Sequence, residues 1–151
     1  MKLNIHLVKT KEQFAQFLPL YREAQTKPPT AKIIKNIEKD FSSSSHPFTI
    51  LLANLNTEPV GFMIIIETYS SSLARKTIYL EEFHIKETHQ NQGIGRQLFQ
   101  YLTHYAKQQK IARIEWITHK KNIKAQQFYK KYPTNNEHVS YVLLLDDFEK
   151  R

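Results

Sequence analysis

The chain of 151 residues has no cysteine, only three glycines and no apolar stretch long enough to cross a membrane. Without cysteine, the chain cannot form disulfide bonds, use a thiolate nucleophile or build cysteine-ligated zinc and iron–sulfur centres. The apolar run Phe62–Ile66 is far below the roughly 20 residues that a membrane-spanning helix requires. The first residues alternate like a strand and lack the apolar core of a signal peptide. We therefore expect a cytoplasmic protein with no membrane partner.

The composition is otherwise typical of a folded domain. Hydrophobic residues make up 40% of the chain and aromatic residues 12%, which is enough to bury a core, and the charged fraction of 24% is ordinary. Single domains most often contain about 100–150 residues. No internal repeat or linker is visible, so we expect one domain over residues 1–151.

Positive charge is concentrated in one part of the chain. The net charge is +8, and the segment from Lys86 to Lys131 holds ten basic residues against two acidic ones, while the rest of the chain has twelve of each. Such an asymmetry indicates a polyanionic partner, either a nucleic acid or a phosphorylated cofactor. Basic helix faces exposed to solvent would give the same composition, so a sequence motif is needed to distinguish them from a binding site for a polyanion.

Hydrophobic periodicity predicts an α/β protein with a mixed, mostly antiparallel sheet flanked by helices. Strand–helix–strand crossovers enter only in the second half of the chain. The predicted strands are Leu3–Val8, Pro47–Asn54, Pro59–Tyr69, Thr77–Lys86, Arg113–Thr118 and His138–Leu145. The predicted helices are Lys11–Gln25, Thr30–Asp40, Gly93–Gln109 and Asn122–Lys131.

A glycine turn joins a predicted strand to the longest predicted helix. The segment Gln90–Arg96 contains two of the three glycines, Gly93 and Gly95. Glycine lets a ligand approach the backbone closely, and the first helical turn offers unpaired N–H groups at the positive end of the helix dipole. This combination is suited to a pyrophosphate, although a plain turn would look the same. A Walker loop and a dinucleotide fingerprint do not fit the sequence.

Two further patterns carry polar or aromatic side chains suited to chemistry. Asn122 is a good helix N-cap, and the helix behind it carries Phe128 and Tyr129, which could equally be core residues. Glu81 and Glu82 are adjacent in an apolar strand, so alternation places acids on both faces. At least one should be poorly solvated, with a raised pKa suited to a general base. Alternatively, one pairs with a cation and the other faces solvent.

Taken together, these patterns resemble the GNAT superfamily of acetyl-CoA-dependent N-acetyltransferases. The family pattern Gln/Arg-x-x-Gly-x-Gly/Ala is matched by Gln90, Gly93 and Gly95, and the pattern Asn-x-x-Ala-x-x-Phe-Tyr is matched from Asn122 to Tyr129. The stretches Tyr69–Arg75, Tyr79–Phe83 and Glu115-Trp116 are similar to the spermidine/spermine acetyltransferase-like branch and its bacterial histone-acetyltransferase-like relatives. The resemblance implies a GNAT-like sheet that is splayed at the cofactor site and a homodimer.

The resemblance also implies roles for individual residues. Tyr129 would protonate the departing CoA thiolate, Glu81 would deprotonate the incoming ammonium, and Glu82 would attract a cationic substrate. Cofactor binding would involve backbone groups of Phe83, His84 and Ile85 for the pantetheine arm, backbone amides of Asn91, Gln92, Gly93, Ile94, Gly95 and Arg96 for the pyrophosphate, and the Asn122 side chain.

The implied reaction is acetyl transfer from acetyl-CoA to a primary amine of a small molecule or a protein lysine, without a metal. Relatives often carry an acidic or aromatic pair where this chain has Lys120-Lys121, and two cations there disfavour a polyamine. His84 and His119 are further candidate bases. The alternatives are a catalytically silent acyl-CoA-binding protein of the same fold and, less favoured because no binding motif supports it, a nucleic-acid-binding module.

Overall fold

The computed structural model describes residues 2–148, and within that range it forms five strands and five α-helices. The chain divides into two compact units, Met1–Glu115 and Trp116–Arg151. The strands are β1 (Leu3–Leu7), β2 (Thr49–Leu55), β3 (Glu58–Ser70), β4 (Arg75–Ile85) and β5 (Ile114–Glu115). The helices are α1 (Lys11–Ala24), α2 (Ala31–Phe41), α3 (Ile94–Gln108), α4 (Ile123–Tyr129) and α5 (Leu145–Phe148).

All five strands form one sheet in which spatial order follows chain order. The pairs β1–β2, β2–β3 and β3–β4 are antiparallel, and β5 lies parallel to β4. A two-residue turn at Asn56-Thr57 joins β2 to β3, with Asn56 in the left-handed region at φ 57°. A parallel pair needs a longer crossover, and here α3 supplies it. The predicted α/β class with a mostly antiparallel sheet is confirmed.

The two faces of the sheet are covered by different helices. One face packs against α1 and α2 in an aromatic-rich core, where the edge of Phe17 meets Phe62 with ring centroids 5.0 Å apart and Phe14 stacks on Phe41 at 4.6 Å. The other face packs against α3, whose inward side chains include the fully buried Leu98 and Leu102. These layers hold β4 between two helical surfaces.

Side-chain caps fix where the predicted helices begin. Thr10 accepts a hydrogen bond from the Gln13 N–H, and the Gln13 side chain accepts one from the Thr10 N–H, which forms a capping box for α1. Thr30 caps α2 by accepting from the Ile33 N–H. The first turn of each helix is therefore determined locally.

Two predicted strands differ from the structure. The strand Arg113–Thr118 is reduced to the two residues of β5. The predicted strand His138–Leu145 is wrong, because residues 133–144 have no regular secondary structure and Leu145 begins α5. Apolar alternation is present in that segment, but a strand also needs a hydrogen-bonded neighbour, and no ladder of the described residues includes it.

Candidate active site

Strand β4 has two differently bonded halves. Ile78 and Tyr79 pair with β5, so the first half has strand neighbours on both sides. From Leu80 to Ile85 the ladder with β3 continues, whereas the ladder with β5 has ended in the described sheet. The second half of β4 therefore lies beyond the ladder with β5 in the described sheet, as a sheet that is splayed at this point would require.

Backbone groups along this second half of β4 alternate in direction. The Lys86 N–H donates to the Val60 carbonyl at 2.8 Å, and alternation in an antiparallel ladder makes His84 the next residue that bonds to β3. The N–H and C=O groups of Phe83 and Ile85 are consequently directed away from β3. Of the three residues implied for the pantetheine arm, His84 directs its backbone toward β3 instead.

A β-bulge interrupts the alternation at the two adjacent carboxylates. Leu80 lies opposite Ile65 and Glu82 lies opposite Ile64, so Glu81 is an extra residue without a partner position on β3. Glu81 is exposed and Glu82 is half-buried. The expectation that the two acids lie on opposite faces assumed a regular strand. Because of the bulge, β4 is not regular at Glu81.

Glu82 is the poorly solvated carboxyl of the pair. Burial raises its pKa, a hydrogen bond from Gln25 Nε2 to Glu82 Oε1 at 2.8 Å acts to lower it, and the negative charge of Glu81 raises it again. Burial and, to a smaller extent, the charge of Glu82 raise the pKa of Tyr21. The prediction of a raised carboxyl pKa is confirmed, and it falls on Glu82.

The last turn of α1 is also tied to the end of β4 through Glu23. Its Oε1 atom lies 3.1 Å from His84 Nε2 and accepts a hydrogen bond from the Glu87 N–H at 3.2 Å. The ring of Phe62 lies against His84 with centroids 5.9 Å apart. This histidine is thus held by neighbours on two elements, and its imidazole is engaged with a carboxylate.

The glycine turn has the geometry of an anion cradle. Asn91 and Gly93 adopt positive φ angles of 60° and 80°, and Gly93 is the N-cap of α3. Gln90 Nε2 donates to the Ile85 carbonyl at 3.0 Å and Gln92 Nε2 to the Thr88 carbonyl at 3.2 Å, which fixes the turn from within. A Cβ atom added at Gly93 would meet nothing within 4 Å, so the backbone there is accessible.

The start of α3 supplies the donors of this cradle. The N–H groups of a first helical turn lack intrahelical acceptors and lie at the positive end of the dipole. Here those groups belong to Ile94, Gly95 and Arg96, and the Arg96 side chain is exposed. Ile94 is buried and anchors the turn to the core. The predicted pyrophosphate residues Asn91 to Arg96 thus form one local structure that fits a phosphorylated cofactor.

The second compact unit contains the predicted asparagine and tyrosine. Asn122 Oδ1 accepts a hydrogen bond from the Ala125 N–H at 3.1 Å and caps α4, as predicted. The ring of Tyr129 lies 4.9 Å from that of Trp116 and 5.5 Å from that of Phe128. Burial raises the pKa of Tyr129 to about 12. Its hydroxyl therefore keeps its proton at neutral pH and can act as a donor.

The site includes residues that the sequence patterns did not single out. Tyr21, Glu23 and Gln25 come from the last turn and C-cap of α1. Glu23 and Gln25 bond to β4 residues about 60 positions later, and the charge of Glu82 acts on Tyr21. The available signal was weak: Tyr21 and Gln25 are spaced i, i+4 at the predicted end of a helix. The sequence does not indicate which strand the end of that helix would contact.

Neither a metal centre nor a membrane segment is found in the part of the chain that the structure describes. No group of three His, Asp or Glu side chains in residues 2–148 is placed to hold a metal ion. In the same range, no helix combines the length and the apolar character that a bilayer crossing demands.

Comparison with known proteins identifies similar families and folds. A family model described as "Acetyltransferase (GNAT) family" matches residues 12–132. L-ornithine N5-acetyltransferase NATA1 of Arabidopsis thaliana is 30% identical over 69 residues, which is 46% of this chain and 30% of that protein. The match thus spans less than a third of the length of that curated relative.

Solved structures share the fold at low identity. The integron cassette protein VCH_CASS6 of V. cholerae superposes with a TM-score of 0.84 at 18% identity, over 99% of this chain and 97% of that one. AAC(6')-Iy in complex with a CoA bisubstrate analogue superposes with a TM-score of 0.79 at 13% identity, over 95% and 99%. These likenesses concern the fold.

Proposed function

Since the chain belongs to the acetyltransferase (GNAT) family, we propose that it transfers the acetyl group of acetyl-CoA to a primary amine. The observation that carries the proposal is the pair of features at the end of β4: a half-buried carboxyl on the part of the strand beyond the ladder with β5, followed by an accessible glycine turn at the start of α3. The carboxyl serves an amine nucleophile, which must lose a proton, and the glycine turn serves the phosphates of a cofactor.

Cofactor binding is assigned to backbone groups for the most part. The amides of the turn from Asn91 to Arg96 would hold the pyrophosphate, and Phe83 and Ile85 would pair with the pantetheine arm through groups directed away from β3. The Asn122 side chain uses its oxygen as a helix cap, so its amide nitrogen is the group for the cofactor. Acetyl-CoA supplies an activated acetyl group as a thioester.

A carboxylate of β4 is assigned as the general base. An alkylammonium must lose a proton before its nitrogen can attack, and a carboxylate with a raised pKa accepts that proton more readily. The family resemblance implied Glu81, with Glu82 attracting the substrate. The burial of Glu82, which raises its pKa, favours Glu82 as the base, with the exposed Glu81 next to it on β4.

Tyr129 is assigned as the general acid. The sulfur leaving group gains a proton as the thioester breaks, and a phenol that remains protonated at neutral pH can provide it. With a pKa of about 12, Tyr129 is fully protonated at neutral pH and therefore carries the proton that the sulfur takes. The resulting phenolate then takes a proton from solvent, which restores the phenol.

The acceptor is proposed only as a class. Ornithine is the substrate in the name of the curated relative, and the spermidine/spermine-like stretches also point to small amines with more than one nitrogen. Lys120-Lys121 before Asn122 disfavour an extended polyamine. Within the class of primary amines, a protein lysine is the other proposed acceptor. A cytoplasmic location, a single domain over residues 1–151 and a homodimer stay predictions.

The first test is stabilisation of the fold by acetyl-CoA. A ligand present at 100 times its Kd adds about 2.7 kcal/mol to the free energy of unfolding, so the Tm should rise. Gly93→Val should abolish most of the rise, because its side chain would fill the cradle and strain a residue at φ 80°. Lys110→Val is the matched control, since it strains a residue at φ 55° just beyond the other end of α3.

Turnover is then measured as release of free CoA with a panel of amines, including ornithine, diamines, aminoglycosides and lysine peptides. Release that depends on the amine supports acetyl transfer. Stabilisation by acetyl-CoA without release of free CoA in the presence of any amine would favour a silent acyl-CoA-binding protein. No stabilisation at millimolar acetyl-CoA would contradict the cofactor assignment itself.

A further inference from the structure

Gln25 occupies a fixed position at the point where α1 ends. It is the C-cap residue, with extended backbone angles and an N–H that contacts the Arg22 carbonyl at 3.4 Å. The chain therefore leaves the helix there, and the side chain of Gln25 is half-buried over β4. Its Nε2 atom donates to Glu82 Oε1 at 2.8 Å across 57 positions of sequence.

We propose that Gln25 is a positioning residue for the general base, holding the Glu82 carboxylate in one orientation and supporting its ionised form within the site. The inference rests on the proposed function, in which Glu82 accepts the proton of the ammonium. It assigns a role to a residue that neither the sequence patterns nor the family resemblance singles out.

The groups around Glu82 act in opposite directions. Burial and the charge of Glu81, its neighbour on β4, favour the protonated carboxyl. From α1, Tyr21 presents a phenol that cannot compensate a negative charge with a positive one. Among the described neighbours that act on this carboxyl, Gln25 favours the ionised form.

The other titratable group near Glu82 on β4 is engaged elsewhere. His84, two residues further on β4, contacts Glu23 of α1 through its Nε2 atom at 3.1 Å. On β3 the position opposite Glu82 is Ile64, which is apolar. The ionisation of Glu82 is therefore balanced between burial and the charge of Glu81, which oppose it, and one amide hydrogen bond, which supports it.

An amide is chemically suited to a group that gains and loses a proton in each cycle. A lysine or arginine in this place would form an ion pair, lower the pKa of Glu82 and make the carboxylate a weaker base. The amide nitrogen donates to the carboxylate, and the amide oxygen can accept from the carboxylic acid. Gln25 can therefore bind both protonation states of Glu82 without adding a charge.

The test uses two substitutions with opposite expected signs. Gln25→Leu removes the hydrogen bond to the charged form, so it should raise the pKa of Glu82 and move the acidic limb of the kcat/KM profile to higher pH. Gln25→Lys adds a cation, so it should lower that pKa and move the limb to lower pH. Gln16→Leu, the same change at an exposed position of α1, should shift neither.

Two measurements separate the effect of Gln25 on the Glu82 carboxyl from its effect on catalysis. NMR titration of the Glu82 carboxyl carbon follows its pKa in the resting protein, with Glu82→Gln used to assign the signal. Release of CoA against pH reports on catalysis, and the Tm of each variant confirms that it is folded. Opposite NMR shifts with matching shifts of the acidic limb support the proposal.

The outcomes that overturn the inference are distinct from failure of acetyl transfer. Unchanged Glu82 midpoints in both variants, or midpoints that move in the same direction, show that Gln25 does not support the carboxylate. Shifted midpoints with an unmoved acidic limb overturn the link to the base while acetyl transfer stands. Failure of the proposed function would instead appear as wild-type protein that releases no CoA with any amine.

Discussion

The surroundings of Glu82 and of Tyr129 differ in composition but act on protonation through the same physical cause. Glu82 lies between an amide, a phenol and a second carboxylate, whereas Tyr129 lies against the rings of Trp116 and Phe128. Burial favours the neutral form in both cases. In a carboxyl, whose ordinary pKa is acidic, this makes a better proton acceptor. In a phenol, whose ordinary pKa of about 10 already keeps the proton bound at neutral pH, it makes the hydroxyl a weaker acid. The same effect thus strengthens the proton acceptor and leaves the proton donor fully protonated.

The largest expected effect concerns the tyrosine side of this comparison. Tyr129→Phe keeps the ring and its contacts with Trp116 and removes only the hydroxyl, so turnover should fall by roughly 10²–10⁴-fold. The rise in Tm with acetyl-CoA should be unchanged. The measurement is CoA release with an accepted amine. Tyr132→Phe, which removes a nearby hydroxyl from the same unit, is the matched control. Full turnover in Tyr129→Phe would mean that water protonates the thiolate.

The carboxylate side is tested by comparing Glu82→Gln with Glu81→Gln. If Glu82 is the base, its amide variant should lower kcat/KM by about 10²-fold near neutral pH and remove the acidic limb. Glu81→Gln should instead move that limb to lower pH, because the charge of Glu81 raises the pKa of Glu82. Both variants are followed by CoA release across a pH series. Loss of the limb in Glu81→Gln alone would assign the base to Glu81.

A third group whose pKa is shifted by burial extends the comparison to a base whose charged form is a cation. Both ring nitrogens of His6, on β1, are buried with no hydrogen-bond partner among the described residues, and burial lowers the pKa of His6 from 6.5. Below pH 6.5 the unfolded chain therefore binds a proton that the folded chain does not. Stability should fall as the pH drops from 6.5 toward the lowered folded value.

His6→Leu should remove that part of the pH dependence and change stability by only about 1 kcal/mol at neutral pH. Urea denaturation above and below pH 6.5 measures both quantities. His104→Leu, at an exposed position of α3, should leave the dependence in place. An unchanged slope in His6→Leu would show that another group causes the loss of stability in acid.

Local chemistry made much of this structure predictable. Thr10, Thr30 and Asn122 each precede a helix and each cap it through a side-chain oxygen within three residues. The glycine turn is equally local, since the positive φ of Gly93 and the donors of α3 depend on a few consecutive residues. Such features can be predicted from a short window of sequence.

Features that depend on partners were not predictable in the same way. The bulge at Glu81 exists only relative to the register of β3, and the bond from Gln25 to Glu82 joins residues 57 positions apart. The segment His138–Leu145 alternates like a strand, yet alternation does not specify a neighbour. Sequence patterns therefore located the β4 carboxyl pair and missed the residues of α1 that act on it.

The extra residue at Glu81 also makes β4 tolerant of a change in length. Removing one residue from the interior of an ordinary strand turns every later side chain to the opposite face. Deleting Glu81 would leave Leu80 opposite Ile65 and Glu82 opposite Ile64, with all later pairs preserved. A single-residue deletion at this position would therefore alter the charge and the curvature of the strand without exchanging its buried and exposed sides.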